Sequence, residues 1–176
     1  MSTFFIILFA LLITQRLSEL QVAKRNAHWI RAHGGIEVGG NHYKYIVLIH
    51  VGFLISLLTE VAFGGMASPP SWWAVPFGLF LCAQALRYWC IGSLGRFWNT
   101  RIYVVPEHPL VKKGPYRWIK HPNYLIVMTE FITFPLIFGA YSTAVIWTVI
   151  NFLFLKFVRI PTEEQALQII STEKVE

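Results

Sequence analysis

Long apolar runs alternate with short polar connections along this chain. The runs occupy residues 2–20, 43–63, 72–92, 123–139 and 142–159. A helix needs about 20 residues to cross a bilayer, so the last two runs are short spans. Gln15, Arg16 and Glu19 lie in the final turns of the first run, where long polar side chains can reach the membrane interface. The pattern predicts an all-α polytopic membrane protein with about five transmembrane helices.

The connections between the runs are of two kinds. Residues 64–71 contain Gly-Gly and Pro-Pro, and residues 139–142 are typical of the tight turn of a helical hairpin. Neither of these holds a charged residue, whereas the other two connections are rich in lysine and arginine. Because no internal repeat is visible, the sequence predicts a single membrane domain over residues 1–176.

Composition and charge agree with a membrane protein and suggest its orientation. The chain is 55% hydrophobic and 14% charged, where soluble proteins have about a quarter of their residues charged. All 15 lysines and arginines fall on one side of the predicted topology, which places the N-terminus outside and the C-terminus in the cytoplasm. The net charge of +6 is interleaved with apolar runs, so no nucleic-acid partner is expected.

Polar motifs cluster in the connection that precedes the fourth run. They are His108-Pro109-Leu110-Val111, Gly114-Pro115-Tyr116-Arg117 and His121-Pro122-Asn123-Tyr124. Pro122 suits the first position of a helix, where unpaired backbone N–H groups favour an anion, and His121 would be the cap. The turn at Gly114 folds residues 108–124 back over the inner mouth of the bundle. The alternative is an ordinary basic loop whose aromatic anchors hold anionic lipid heads.

A second polar group follows the fifth run. In a continuous helix, Arg159 and Glu163 would share a face, and the hairpin would return them to the surface that carries His121. Pro161, however, disfavours helical geometry at the preceding residue, so a new helix could instead begin there, with Glu163 in its first turn. The alternative to a site is a stop-transfer flank followed by a surface helix.

Glu130 lies inside the fourth run, about 9 Å along the helix from Tyr124. A carboxylate in lipid is costly, so it must be protonated, paired or turned towards a polar cavity, and it is a functional candidate. Arg87 and His50 are possible partners, although His50 alone is more typical of an interhelical hydrogen bond. No metal site is expected, because the six histidines are scattered and no zinc-binding motif is present.

The run HPLVKKGPYRWIKHPNY, followed by a two-span hairpin that ends in RIPTEE, resembles the isoprenylcysteine carboxyl methyltransferase family in its short bacterial form. The resemblance covers residues 96–167. It implies an integral, multi-pass enzyme of the bacterial cell membrane that uses S-adenosylmethionine at an active site facing the cytoplasm. The chain departs from the family pattern at Lys120, which replaces an arginine, at Pro161, and in its short tail after Glu164.

The resemblance also assigns roles to individual residues. Cofactor contacts correspond to His108, Pro109, Leu110, Val111, Tyr116, His121, Pro122, Asn123, Tyr124 and Glu163, with a looser match at Arg101. The arginine that positions the acceptor corresponds to Arg159. An acceptor carboxylate is already ionised at neutral pH, whereas a phenol or enol needs a base, for which Glu130 or His121 are the candidates.

The sequence therefore predicts an S-adenosylmethionine-dependent O-methyltransferase that takes a lipophilic or prenylated acceptor from the bilayer. The acceptor is either an isoprenylcysteine carboxylate or the hydroxyl of an alkylated pyrone or phenol-like ring. A phospholipid N-methyltransferase is one alternative. Another is an NADPH-dependent reductase related to sterol reductases, which share similar GPYR and HPNY-like ends. A membrane anchor or small transporter has little support, because few ionisable residues lie within the spans.

Overall fold

The computed structural model describes the backbone of residues 2–64, 68–106 and 111–172 and the side chains as far as residue 168. Within these ranges the helices are α1 (Thr3–Ala32), α2 (Tyr43–Phe63), α3 (Ala74–Leu94), α4 (Pro122–Ile137), α5 (Tyr141–Phe154) and α6 (Ile160–Thr172). A π-helical turn, Leu155–Arg159, joins α5 to α6. Two short strands, β1 (Ile36–Val38) and β2 (Ile102–Val104), pair antiparallel. Short 3₁₀ turns occupy Gly40–His42, Gly95–Phe97 and Gly114–Arg117.

The apolar helices confirm the predicted membrane fold. Four helical segments are long and apolar enough to cross a bilayer, namely Thr3–Ala32, Gly40–Phe63, Ala74–Phe97 and Tyr141–Gln168, and α4 is a shorter apolar helix. The first helix has 30 residues and continues well beyond the apolar run that predicted it. At about 1.5 Å per residue, it extends for roughly 45 Å. The protein is thus an all-α polytopic membrane protein with one small two-stranded sheet.

Aromatic side chains fill the centre of the bundle. Phe53 of α2 stacks on Phe131 of α4 with ring centroids 4.2 Å apart, and Phe80 of α3 packs against the fully buried Phe134 at 5.0 Å. Phe5 of α1 completes the cluster. Because lipid is as apolar as these side chains, close packing rather than the hydrophobic effect holds the helices together.

The carboxylate of Glu60 caps the start of α5, just after the turn of the α4–α5 hairpin. Gly139 has a φ of +70°, which supports the predicted tight turn at residues 139–142. Ala140, at the N-cap of α5, has no side-chain acceptor. Glu60 of α2 takes that place and accepts hydrogen bonds from the backbone N–H groups of Ser142 at 3.0 Å and Thr143 at 2.7 Å. A negative charge at a helix N-terminus also favours the helix dipole, so α2 stabilises the start of α5.

The expectation that Pro161 disrupts the helix at the preceding residue is wrong. Ile160 keeps helical geometry, with φ −63° and ψ −49°, and α6 begins there. In a regular α-helix the proline ring would meet the carbonyl four residues earlier. The π-helical turn inserts an extra residue into the hydrogen-bond ladder just before Pro161, which relieves that clash. The polypeptide therefore continues as one helical rod from α5 through α6.

The two-stranded sheet joins the connections that follow α1 and α3. Glu37 lies opposite Tyr103 in its register. Ile102 and Val104 of β2 are buried against Ala166 of α6, which has no exposed surface. The pairing brings residues far apart in the sequence to the end of the bundle where α4 begins.

Candidate active site

A cavity of about 460 Å³ runs between the helices from the sheet to the aromatic core. Small-molecule sites usually have about 300–1,000 Å³, so the volume is that of a binding site. Its walls are mainly apolar, and two groups of polar side chains lie at different depths along it. The mouth layer consists of Arg101, Tyr116, His121, Asn123, Tyr124, Arg159 and Glu163. The deep layer consists of Arg16, Glu19, His50, Arg87, Glu130 and Asn151.

Most of the site residues expected from the sequence line this one cavity. They are Arg101, Tyr116, His121, Pro122, Asn123, Tyr124, Glu130, Arg159 and Glu163. Val111 is partly buried, but it is not among the described residues that line the cavity. His108, Pro109 and Leu110 lie outside the described residues. The structure thus brings together residues from four segments of the chain.

Arg159 is held in the mouth layer by neighbours from three segments. Its Nε donates to the hydroxyl of Tyr124 at 3.2 Å, and its Nη2 donates to the carbonyl oxygen of Thr100 at 3.0 Å. Nη1 lies 3.4 Å from the imidazole of His42. Tyr124 in turn donates to Glu163, so Arg159 and Glu163 meet on the same tyrosine. With 7% of its surface exposed, Arg159 is buried and oriented.

His121 links the start of α4 to α6. Pro122 is the first residue of α4, as predicted, and the His121 side chain makes no capping hydrogen bond to that helix. Its Nδ1 lies 3.6 Å from Glu163 and its Nε2 lies 3.4 Å from Glu164. The hydrogen bond with Glu163 raises the pKa of His121 above its ordinary value. Lys120 pairs with Glu164 at 2.5 Å, so this departure from the family arginine retains an ionic role.

A glycine turn positions Tyr116 beside α4. Gly114 has a φ of +55°, and a Cβ there would lie 2.0 Å from the hydroxyl of Ser93 on α3. Only glycine fits both the backbone and the close approach. Tyr116 then accepts a hydrogen bond from Asn123 at 2.9 Å, and burial raises the pKa of its phenol. The 3₁₀ turn Gly114–Arg117 folds back over the bundle, as the sequence predicted.

Arg101 enters the mouth layer from the sheet. Its guanidinium lies 4.0 Å from the ring centroid of Tyr43 and donates to Glu37. The hydroxyl of Tyr103 donates to the same carboxylate at 3.1 Å. Burial opposes ionisation of Glu37, but the hydrogen bonds from Arg101 and Tyr103 outweigh it and hold the pKa of Glu37 below its usual value. The sheet therefore fixes a cation at the edge of the cavity.

Glu130 lies in the deep layer and is fully paired. Its carboxylate accepts from Gln84 at 2.6 Å, from Nη2 of Arg16 at 2.6 Å and from Nε of Arg87 at 3.0 Å, while Nη2 of Arg87 is a fourth donor. Glu19 bridges the two arginines at 2.7 and 3.4 Å. Two arginines and two glutamates thus form a neutral network within the membrane-spanning helices.

The deep layer shows where expectations from the sequence succeeded and failed. Arg87 is a partner of Glu130, as proposed, whereas Arg16 was expected at the membrane interface and instead turns into the bundle. The expectation of an interhelical hydrogen bond for His50 is wrong, because its Nδ1 pairs with the carbonyl oxygen of Ile46 in its own helix at 2.9 Å. Asn151, which is 2% exposed, was missed, and a lone amide in an apolar run gives no signal that would find it.

Comparisons with known proteins agree with this architecture. A sequence profile of the isoprenylcysteine carboxyl methyltransferase (ICMT) family matches residues 75–169, which include nearly all of α3, the whole of α4 and α5, and most of α6. The chain is 44% identical over 164 residues to YpbQ, an uncharacterized protein of Bacillus subtilis, with 93% of this chain and 96% of that protein covered. It is 28% identical over 162 residues to an uncharacterized protein of Haemophilus influenzae, with 92% and 93% covered. No solved structure matches the chain.

The matched region contains the segments that form the mouth layer at the start of α4 and along α6. The bundle of apolar helices, the polar mouth and the profile match lead to the same assignment. The chain belongs to the isoprenylcysteine carboxyl methyltransferase family and is a membrane methyltransferase.

Proposed function

We propose that this protein is an S-adenosylmethionine-dependent O-methyltransferase that acts, at the cytoplasmic face of the membrane, on a lipophilic acceptor from the bilayer. The observation that carries the proposal is the mouth layer, in which Arg159, Tyr124 and Glu163 are linked at one end of an apolar cavity. A polar reaction site joined to a lipid-like cavity suits a water-soluble donor and a membrane-borne acceptor.

The polar and aromatic groups of the mouth layer fit the functional groups of S-adenosylmethionine. The start of α4, after His121 and Pro122, has no side-chain cap, and the partial positive charge of this helix end suits the carboxylate of the cofactor. Glu163 would bind its amine or ribose. Tyr116 and Tyr124, which both belong to residues 108–124, would flank the adenine. The family pattern adds cofactor contacts at His108, Pro109, Leu110, Val111 and Arg101. When bound, the cofactor supplies a methyl group that its sulfonium already activates.

The residues of the chain then orient the acceptor and exclude water. Arg159 is prearranged by Tyr124 and Thr100, so it can hold an acceptor carboxylate without losing much side-chain freedom on binding. Such a carboxylate is ionised at neutral pH and needs no base. The apolar walls keep bulk water from the reacting groups.

Two acceptor classes fit the apolar cavity. One is an isoprenylcysteine, whose carboxylate would lie at Arg159 and whose hydrocarbon chain would follow the cavity. The other is an alkylated pyrone or phenol-like ring with a hydroxyl group. A hydroxyl acceptor loses a proton during methylation, and the sequence offers Glu130 and His121 as candidates for that proton.

Binding of labelled S-adenosylmethionine to the detergent-purified protein tests the cofactor assignment. Glu163→Gln should weaken binding at least tenfold, because a partly buried carboxylate inside the mouth is lost. Glu164→Gln is the matched control. It changes the neighbouring residue, whose carboxylate is largely solvated, and should bind nearly as the parent does. Equal binding by the parent and the Glu163→Gln protein would refute the assignment.

A second experiment tests the reaction. Membranes with and without the protein are incubated with methyl-labelled cofactor, and the lipid extract is treated with base. Label in a base-labile ester or in a ring ether supports O-methylation. Label confined to base-stable phospholipid head groups would instead identify a phospholipid N-methyltransferase.

A further inference from the structure

The polar side chains of the cavity lie at two depths. Glu130 is six residues beyond Tyr124 on α4, and His50 is seven residues beyond Tyr43 on α2. At about 1.5 Å per helical residue, Glu130 lies roughly 9 Å beyond Tyr124 of the mouth layer, and His50 lies roughly 10.5 Å beyond Tyr43, which contacts Arg101 of that layer. A ring hydroxyl bound at the deep layer would therefore use different groups from a carboxylate bound at Arg159.

Glu130 has no capacity left to accept a proton. A carboxylate offers about four lone-pair sites, and two hydrogen bonds from Arg87 together with those from Arg16 and Gln84 occupy them. Protonation would also leave two buried guanidinium groups without their counter-ion. The role of Glu130 is to position the two arginines.

His50 has a free nitrogen in the same cavity. A carbonyl oxygen can only accept, so the contact with Ile46 fixes the proton on Nδ1 and leaves the lone pair on Nε2. In the part of the chain that the structure describes, Nε2 has no hydrogen-bond partner. Phe131 holds the ring edge to face, with centroids 5.2 Å apart. The charged groups that face His50 are Arg16 on α1, Arg87 on α3 and Glu130 on α4.

Arg16 retains donors for an oxygen at this depth. Of its five N–H groups, one donates to Glu19 and one to Glu130 in the described structure. Its side chain is 22% exposed, whereas those of Glu19, Arg87 and Glu130 are 6–7% exposed. A hydrocarbon chain at this depth would leave these donors unpaired, while a ring oxygen would satisfy them.

On the basis of the proposed function, we propose that the acceptor is a ring hydroxyl bound at the deep layer, that His50 takes its proton, and that Arg16 holds its oxygen. The acceptor oxygen forms a bond to the methyl group as the O–H proton passes to Nε2 of His50. The electron pair of the breaking sulfur–methyl bond stays on the sulfur of the donor, and His50 later releases the proton to solvent.

Methyl transfer to two probes tests the proposal. One is an alkylated phenol, which must lose a proton, and the other is N-acetyl-S-farnesylcysteine, which presents a carboxylate. General-base catalysis contributes about 10²–10⁴-fold, so His50→Gln should reduce phenol methylation near neutral pH at least a hundredfold, and the rate should recover only at a pH high enough to ionise the phenol itself. His33→Gln is the matched control, because His33 makes the same contact to the carbonyl four residues earlier but lies outside the cavity. The His33→Gln protein should keep the phenol methylation rate and the pH profile of the parent.

Glu130→Gln separates positioning from proton transfer. Such a protein should methylate the phenol more slowly but keep the pH profile of the parent, without the shift to higher pH expected of His50→Gln. An optical readout needs no cofactor: an alkylated 4-nitrophenol bound to the protein changes its absorbance on ionisation. The parent should ionise the bound probe at a pH at least one unit lower than the His50→Gln protein does, which is a tenfold difference in the equilibrium.

The outcomes separate this proposal from the proposed function. Methylation of the farnesylcysteine alone, or unchanged phenol methylation and probe ionisation in the His50→Gln protein, would overturn the role of His50 and leave the methyltransferase intact. Failure of the parent protein to bind S-adenosylmethionine and to methylate either probe would overturn both.

Discussion

Removing the charge of Glu130 should cost the protein much of its stability. The Glu130→Gln change keeps the size of the side chain but leaves Arg16 and Arg87 to share one remaining counter-ion, Glu19. Breaking a buried ion pair by removing one partner costs about 3–5 kcal/mol. Neutral hydrogen bonds between membrane helices average only about 0.6 kcal/mol. The two estimates differ enough for one measurement to decide whether the deep layer is an ionic network.

Equilibrium unfolding in mixed micelles measures this cost, and a double-mutant cycle isolates the pair. The four proteins are the parent, Glu130→Gln, Arg87→Gln and the double variant. We expect each single change to cost at least 3 kcal/mol and the double change clearly less than the sum, because it removes both charges. Glu164→Gln, which breaks an exposed pair, should leave the unfolding curve nearly unchanged. Single costs below about 1 kcal/mol, or additivity within about 0.5 kcal/mol, would refute the network.

Three further changes test other parts of the fold. Gly114→Ala should destabilise the protein by about 1–3 kcal/mol and weaken cofactor binding, because residue 114 has a positive φ and the added Cβ would overlap α3. Gly78→Ala is the control, since residue 78 faces open space, and should be tolerated in both assays. Glu60→Gln should lower the free energy of unfolding by about 1 kcal/mol through loss of the charged cap on α5, measured by thermal denaturation. Because Glu163 raises the pKa of His121, this contact stabilises fully below about pH 6.5 and is lost as the pH rises through the raised value. The difference in melting temperature between the parent and His121→Gln should therefore shrink as the pH rises, and a constant difference would contradict the pair.

Much of the mouth layer could be predicted from the sequence, because its members lie close together in the chain or are joined by a short hairpin. His121, Pro122 and Tyr124 occupy the first turns of α4, where the proline predicted a helix start. A tight turn returns α5 along α4, and Arg159 therefore reaches Tyr124. Local backbone preferences and the length of two spans are sufficient for this contact.

Other features escaped prediction because they depend on contacts between distant segments. Pro161 was expected to interrupt the helix, but the π-helical turn, which no local signal announces, absorbs it. Arg16 was assigned to the interface because its chain position is near the end of an apolar run. Its actual partner, Glu130, is 114 residues away.

By itself, the amino-acid sequence determined the apolar spans, the hairpin and the motif that begins α4, since these follow from hydropathy and backbone preferences within short stretches. Only the tertiary structure decided which polar side chains share the cavity, that Glu130 is saturated by donors, and that His50 keeps a free nitrogen. The physical reason is that burying a charge within a membrane bundle requires partners, and helix packing alone determines which distant residues supply them.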